Sequence, residues 1–248
     1  MTLQQFFQEN PKVALAFSGG VDSAYLLYAA LRYSADVRAY YVKTLFQPEF
    51  EYDDAVTLAR QVGGEMTTLH LDVLSDPAIA ENPKNRCYFC KKRIFSAILG
   101  QAKEDGYSLV IDGTNASDDA SDRPGMQALQ ELGVRSPLRE AGLTKGEIRR
   151  LSKEAGLFTH DKPAYACLAT RIPAGTSITA EQLAITERSE GFLRKLGFSD
   201  FRIRFMGTAA RVQVPESQLR LLLAHREEIL RELKNDYSAI LLDLEVRQ

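Results

Sequence analysis

This sequence predicts an α/β fold, a doubly wound and mostly parallel sheet followed by a smaller α+β domain. Three observations carry that prediction. Apolar strands alternate with helical stretches from Val13 through Asp112, the pattern of a parallel sheet covered on both faces. The apolar run Val13 to Phe17 leads straight into Ser18-Gly19-Gly20-Val21-Asp22-Ser23, a strand, a glycine turn and a helix start. After Thr179 the pattern changes to short strands interleaved with helices.

The elements follow in order. The first strand is Val13–Phe17 and the first helix runs from about Asp22 to Arg32. A second strand spans Val37–Val42, bounded by Asp36. Apolar residues at helical spacing from Phe50 to Val62 end at Gly63-Gly64, a C-terminal stop. Thr67, Leu69, Leu71 and Val73 alternate within the third strand, Met66–Val73. Asp76 to Lys84 reads as irregular, then a helix runs from about Cys87 to Lys103 and a fourth strand over Ser108–Asp112. Ser121-Asp122-Arg123-Pro124-Gly125 reads as a polar turn before a short helix, Met126–Leu132. Thr144 and Glu147 form a capping box for a helix from Lys145 to Ala155, ended by Gly156. Asp161 to Thr176 is a loop with Pro163, Pro173 and Gly175. The second domain then reads as helix Thr179–Leu196, strands Phe201–Phe205 and Ala210–Val214, helix Glu216–Leu233 and strand Tyr237–Leu244. The expected division is residues 1–176 for a nucleotide-binding domain and 177–248 for a substrate or oligomerisation domain.

Composition narrows the function classes. At 248 residues, 45% hydrophobic and 26% charged, the chain has the balance of a soluble globular protein. A net charge of −2 argues against a nucleic-acid surface. The start, MTLQQFFQENPK, is too short and polar for a signal peptide, and no apolar run approaches the ~18 residues of a membrane helix. A cytoplasmic location is the expectation. Three cysteines are an odd number for a disulfide framework, so metal binding or catalysis is the better use of them.

The turn Ser18 to Ser23 is an anion cradle. Unpaired N–H groups at a helix start carry roughly half a positive charge, and glycines let a phosphate approach the backbone. Asp22 stands where a carboxylate can hold magnesium between phosphates. No lysine follows the glycines, so this is not the G-x-x-x-x-G-K-[ST] loop. The string resembles the SGGxDS pyrophosphate loop of PP-loop ATPases, which cleave ATP between the α- and β-phosphates. Asp112-Gly113-Thr114-Asn115-Ala116-Ser117-Asp118 resembles the second nucleotide-contacting segment of those enzymes, which would give Gly113, Thr114, Asn115 and Asp118 contacts to the nucleotide. The stretch from Pro137-Leu138 to Lys145 and Arg149 resembles a third, with Lys145 and Arg149 aimed at phosphate.

Cys87 and Cys90 lie three residues apart at a helix start, beside Arg86, Lys91 and Lys92. This spacing puts both sulfurs on one face, and the setting favours thiolates. Three readings stand open: buried structural cysteines, a zinc site with His160 as a further ligand, and an iron–sulfur cluster held by Cys87, Cys90 and Cys167.

Taken together, SGGVDS, NRCYFCK, DGTNASD, the PL to GLTKGEIR segment and PAYACLATRIPAGT resemble the LarE family, over about residues 10 to 205. These are ATP-dependent sulfurtransferases acting on pyridinium-3,5-biscarboxylic acid mononucleotide in nickel-pincer nucleotide synthesis. The resemblance implies a PP-loop, adenine nucleotide alpha hydrolase-like fold, with ATP and magnesium as cofactors and a trimer or hexamer as the assembly. It implies adenylation of a substrate carboxylate, followed by attack from the cysteine of the ACLA loop, here Cys167. In one branch that cysteine gives up its own sulfur. In another, a C-x-x-C pair joins it around a [4Fe–4S] cluster, and with Cys87 and Cys90 present this chain resembles that branch. An acidic residue and two arginines frame the pocket in the family, matched here by Glu190 or Glu187 with Arg202 and Arg204. Arg171, four residues after Cys167, joins them as a substrate ligand. The competing functions are a tRNA-thiolating enzyme, an adenylating amide ligase and a zinc-stabilised AMP-binding module without turnover.

Overall fold

The computed structural model describes residues 1–118 and 124–245. The polar turn read at Ser121-Asp122-Arg123 lies outside the described residues. The chain forms two compact units, residues 1–73 with 85–162, and residues 74–84 with 163–248. The sequence reading placed a single boundary at 176/177. In the structure the chain leaves the first unit for 74–84, returns to it, and leaves again after Lys162.

The first unit begins with a helix the sequence reading did not register, α1 (Leu3–Glu9). Its signal was present, because Thr2 and Gln5 form a capping box, and Phe6 and Phe7 are buried beneath it. There follow β1 (Lys12–Ala16), α2 (Val21–Arg32), β2 (Asp36–Lys43), α3 (Glu49–Val62) and β3 (Glu65–His70). After the four-residue α4 (Pro77–Ala80), which belongs to the second unit, come α5 (Arg86–Glu104), β4 (Val110–Asp112), α6 (Pro124–Glu131), α7 (Pro137–Glu140) and α8 (Lys145–Glu154).

The sheet is parallel throughout, in the order β3-β2-β1-β4. Its two faces divide strand residues by parity, as the pleat requires. Val13, Leu15, Phe17, Val37, Ala39 and Tyr41 pack with α1, α2, α3 and Ile148 of α8. Ala14, Tyr40, Val42 and Val110 pack with Phe95, Ile98 and Ala102 of α5 and Met126 and Leu129 of α6. Helices therefore cover both faces, and the doubly wound expectation holds. β4 is the edge strand beside β1 and parallel to it, so their carboxyl ends bring Ser18 and Gly113 to one end of the sheet, the end where such sheets bind ligands. At the other end of the sheet, Tyr40 donates to Asp105 Oδ2 at 2.7 Å and Tyr107 to Asp36 Oδ1 at 2.8 Å. The Tyr40 hydrogen bond holds the Asp105 carboxyl below its usual range.

The second unit holds α9 (Ala180–Lys195), β5 (Arg202–Met206), β6 (Ala209–Gln213), α10 (Leu219–Ala224), α11 (Arg226–Leu233) and β7 (Ile240–Leu242). β5 and β6 are antiparallel, while β6 and β7 run parallel. The single helix read over Glu216–Leu233 is instead a 3-10 turn at Glu216–Gln218 followed by two helices. His225 divides them, at φ −95° and ψ 13°, closing one helix and opening the next. The last strand is shorter than the Tyr237–Leu244 expected. Tyr237 instead turns inward, its ring 5.0 Å from that of Phe205.

Candidate active site

In the first unit the cradle is built by β1, α2 and their turn. Gly19 adopts φ +71°, and a Cβ there would stand 2.8 Å from Ala55 Cβ of α3, so only glycine fits. Gly20 is the N-cap of α2 and offers no side-chain cap. The turn is tied internally: Ser18 Oγ and Ser23 Oγ are 3.1 Å apart, and Ser23 donates to the Gly20 carbonyl at 3.2 Å. Gly113 meets it from β4, since a Cβ at Gly113 would lie 2.8 Å from the Ser23 backbone nitrogen. The two glycine-bearing loops therefore touch backbone to backbone.

Asp22 sits between them. Its Oδ2 pairs with Lys145 Nζ at 2.5 Å, and its Oδ1 is buried with no hydrogen-bond partner. Burial pushes the Asp22 carboxyl up, Lys145 opposes that, and Asp118 adds to it. A carboxylate oxygen without a donor, next to a second acidic residue, fits a hard divalent cation. Lys145 thus meets Asp22 here, and its backbone N–H donates to Ser117 Oγ at 3.0 Å. Arg149, expected at phosphate, donates to the carbonyls of His160 and Lys162 at 2.6 and 2.8 Å.

The second loop is held largely by its own side chains. Thr114 Oγ1 donates to Asp112 Oδ2 at 2.5 Å, and Ser136 Oγ to Asp112 Oδ1 at 2.6 Å. Asn115 Oδ1 accepts from Ser117 N at 2.8 Å, and Asp118 Oδ2 accepts from Asn115 N at 3.0 Å. Arg139 donates to the Asp118 carbonyl. Asp112 was missed as an anchor, although it opens the DGTN string.

Cys87 and Cys90 occupy the first turns of α5, Cys87 exposed and Cys90 half-buried. Arg86 Nη2 lies 3.9 Å from Cys87 Sγ. No disulfide joins the three cysteines. Three thiolates have the soft donor chemistry an iron–sulfur cluster takes. Among the described residues, however, no three His, Cys, Asp or Glu side chains converge as a metal site. His160, considered for zinc, has Nδ1 3.0 Å from the Leu157 carbonyl.

In the second unit Cys167 lies in the loop before a 3-10 turn, Leu168–Arg171. Arg171 donates from Nε and Nη2 to both oxygens of Glu190, at 2.8 and 3.0 Å, with the two side chains 0% and 1% exposed. Glu190 also accepts from Tyr165 Oη at 2.6 Å and from Ile203 N at 3.0 Å. Arg171 Nη1 reaches the carbonyls of Ala166 and Cys167, at 3.0 and 3.4 Å. Arg202 is buried too, donating to the Ala164 carbonyl at 2.8 Å. The sequence reading set Arg171 and Arg202 toward substrate; here both turn inward and hold the Cys167 loop. Arg204, half-buried, donates to Gln213 Oε1 at 2.6 Å. Of the two glutamates considered, Glu190 is the one inside this network, while Glu187 is half-buried. Tyr165 escaped the sequence reading, although an aromatic two residues from a loop cysteine was the available signal.

A pyridinium-3,5-bisthiocarboxylic acid mononucleotide synthase from Lactiplantibacillus plantarum is 33% identical, across 98% of this chain and 89% of that protein. The chain belongs to the LarE family. It is therefore an enzyme of the PP-loop sulfurtransferases, and ATP use goes with that superfamily. An uncharacterized protein from Synechocystis is 40% identical across 88% of this chain and 81% of its own length. The tRNA-specific 2-thiouridylase MnmA of Pseudothermotoga lettingae is 27% identical across 61% of this chain and 54% of that protein, a likeness that extends the PP-loop fold beyond LarE. No family model matches the sequence. Among the described residues no helix is long and apolar enough to cross a membrane.

Proposed function

We propose that this chain uses ATP to activate a carboxylate of pyridinium-3,5-biscarboxylic acid mononucleotide and replaces it with a thiocarboxylate, in nickel-pincer nucleotide synthesis. The near full-length relationship to the L. plantarum synthase carries this reading. In the first step a carboxylate oxygen attacks the α-phosphorus of ATP and pyrophosphate leaves. Gly19, Gly20, Ser18 and Ser23 would cradle the phosphates, with Gly113, Thr114, Asn115 and Asp118 closing the second side. Asp22 would hold Mg2+, whose charge neutralises the phosphates when bound. Lys145 would then turn from Asp22 to the phosphate oxygens. In the second step a sulfur nucleophile attacks the acyl carbon and AMP leaves.

Cys87, Cys90 and Cys167 are proposed as ligands of a [4Fe–4S] cluster, which when bound supplies a carrier for sulfur other than the cysteine's own. One observation favours a second reading, sacrificial transfer from Cys167. Its loop is held in place by the side chains of Arg171 and Glu190. On this path the Cys167 thiolate forms the thioester. Loss of its α-proton then breaks the Cβ–S bond, releasing thiocarboxylate and leaving dehydroalanine. Arg204 is proposed for the anionic groups of the substrate, and Glu190 for framing the pocket, with Arg202 supporting the Cys167 loop behind it. A homo-oligomer, trimer or hexamer, completes the proposal.

Mass spectrometry after turnover tests it. A loss of about 34 Da on the Cys167 peptide marks the sacrificial path (hydrogen sulfide leaving a cysteine), and unchanged mass with continued product marks a separate sulfur carrier. Pyrophosphate release indifferent to the pyridinium substrate, or full sulfur transfer by Cys167→Ala, would refute the function.

A further inference from the structure

The loop carrying Cys167 is short of regular structure, yet it is held at both ends. On the N-terminal side Tyr165 donates to Glu190 at 2.6 Å. Its ring lies against two guanidiniums, with Arg171 4.7 Å and Arg202 5.2 Å from the centroid. Such stacking orients the cations as well as attracting them. The same Arg171 reaches the carbonyls of Ala166 and Cys167. Tyr165 therefore bears on the backbone of the reactive residue through one intermediary.

On the C-terminal side the partner comes from a segment read in the sequence as irregular. Asn82 is 2% exposed and adopts φ +55°, a left-handed conformation that asparagine tolerates better than most residues. Its Nδ2 donates to the carbonyls of Pro173 and Ile172, at 2.9 and 3.3 Å. Its own carbonyl accepts from Gly175 N at 2.8 Å. Nearby, Ile178 N donates to the Ala80 carbonyl at 2.7 Å. The residues after Cys167 are thus latched to residues 80–82, nearly a hundred positions earlier in the chain.

We propose that Tyr165 and Asn82 are positioning residues for Cys167, fixing its loop from opposite ends so that the sulfur is presented in one place to an activated acyl carbon. The proposal rests on the sulfur-transfer reading for the identity of the electrophile. Its physical basis is that a nucleophile held within about an ångström of its attack geometry gains rate, while displacement of that size can cost on the order of 100-fold.

The test uses Tyr165→Leu, Tyr165→Phe, Asn82→Asp and Asn82→Gly in the full chain. Asn82→Asp keeps the shape but aims a carboxylate at two carbonyls. Asn82→Gly accepts the left-handed backbone conformation and removes the side chain with its two donations. Pyrophosphate release, thiocarboxylate formation and peptide-resolved alkylation by iodoacetamide are measured, the last on reduced, chelator-treated protein. In Tyr165→Leu, Asn82→Asp and Asn82→Gly, thiocarboxylate formation should fall at least tenfold while pyrophosphate release stays within twofold. Alkylation of Cys167 should rise at least threefold in these variants, with Cys87 unchanged as the internal standard. Tyr165→Phe, which retains the ring between the guanidiniums, should restore thiocarboxylate formation to within threefold of the unmodified protein. Unchanged Cys167 alkylation would overturn the proposal. So would a parallel fall of both half-reactions with the melting temperature, which marks a fold defect. If the unmodified protein forms no thiocarboxylate, the functional reading fails, and the alkylation result alone still decides the positioning role.

Discussion

Replacing Glu190 by glutamine isolates the interaction on which the Cys167 loop depends most. The carboxylate accepts four hydrogen bonds, two from Arg171 and one each from Tyr165 and Ile203 N. The Arg171 side chain opposite it has 0% exposure, so its charge has no route to water. Glutamine is nearly the same shape but carries no charge, and its amide nitrogen turns donors toward donors. Removing one partner of a buried ion pair typically costs about 3–5 kcal/mol, because the remaining charge is stranded. For a chain of this size each kcal/mol moves the midpoint by roughly 2–4 °C, so a fall of about 6–20 °C follows. Differential scanning calorimetry of Glu190→Gln and Glu187→Gln measures it. Glu187 is half-buried on the same helix, and its substitution should cost under about 1 kcal/mol. A Glu190→Gln midpoint within 2 °C of the parent, a bound set well below the roughly 6 °C minimum, would refute the reasoning. Equal effects from both glutamates would do the same.

Other consequences can be checked in parallel. Gly113→Ala should slow pyrophosphate release at least tenfold, because its Cβ would stand 2.8 Å from the Ser23 backbone nitrogen; a coupled pyrophosphate assay reads this, with circular dichroism confirming the fold. Asp22→Asn should raise the melting midpoint of the nucleotide-free protein at pH 7 while abolishing pyrophosphate release. Burial raises the Asp22 pKa, so its contribution to stability is fully present below the unfolded carboxylate pKa and is lost as pH rises through the folded value; a neutral amide avoids that loss. Asp105 is the opposite case. The Tyr40 hydroxyl lowers its pKa, so its contribution is present above the unfolded value and vanishes as pH falls through the folded one. Asp105→Asn should therefore lower the urea midpoint at pH 7 and match the parent protein near pH 2.

The nucleotide half of the site was legible because its chemistry is local. A strand, two glycines and a helix start occupy consecutive positions, so the Ser18 to Ser23 cradle could be drawn from spacing alone. The capping box at Thr144 and Glu147 was readable for the same reason, and the structure reproduces it. α1 carried an equally local signal at Thr2 and Gln5 that went unused. The arginines were not legible in this way. A charged residue in a strand or loop reads alike whether it turns outward or pairs inside, and Arg171 and Arg202 pair inside.

Sequence by itself determined the alternation of strands and helices, the glycine turns, the three thiols and the family likeness, since each depends on neighbours a few positions apart. Tertiary structure alone decided that Lys145 meets Asp22 across more than a hundred residues, that Glu190 gathers Tyr165 and Arg171, and that Asn82 latches the far side of the Cys167 loop. Those pairings are settled by which backbone and side-chain groups must find partners once water is excluded, and no periodicity in the chain encodes that outcome.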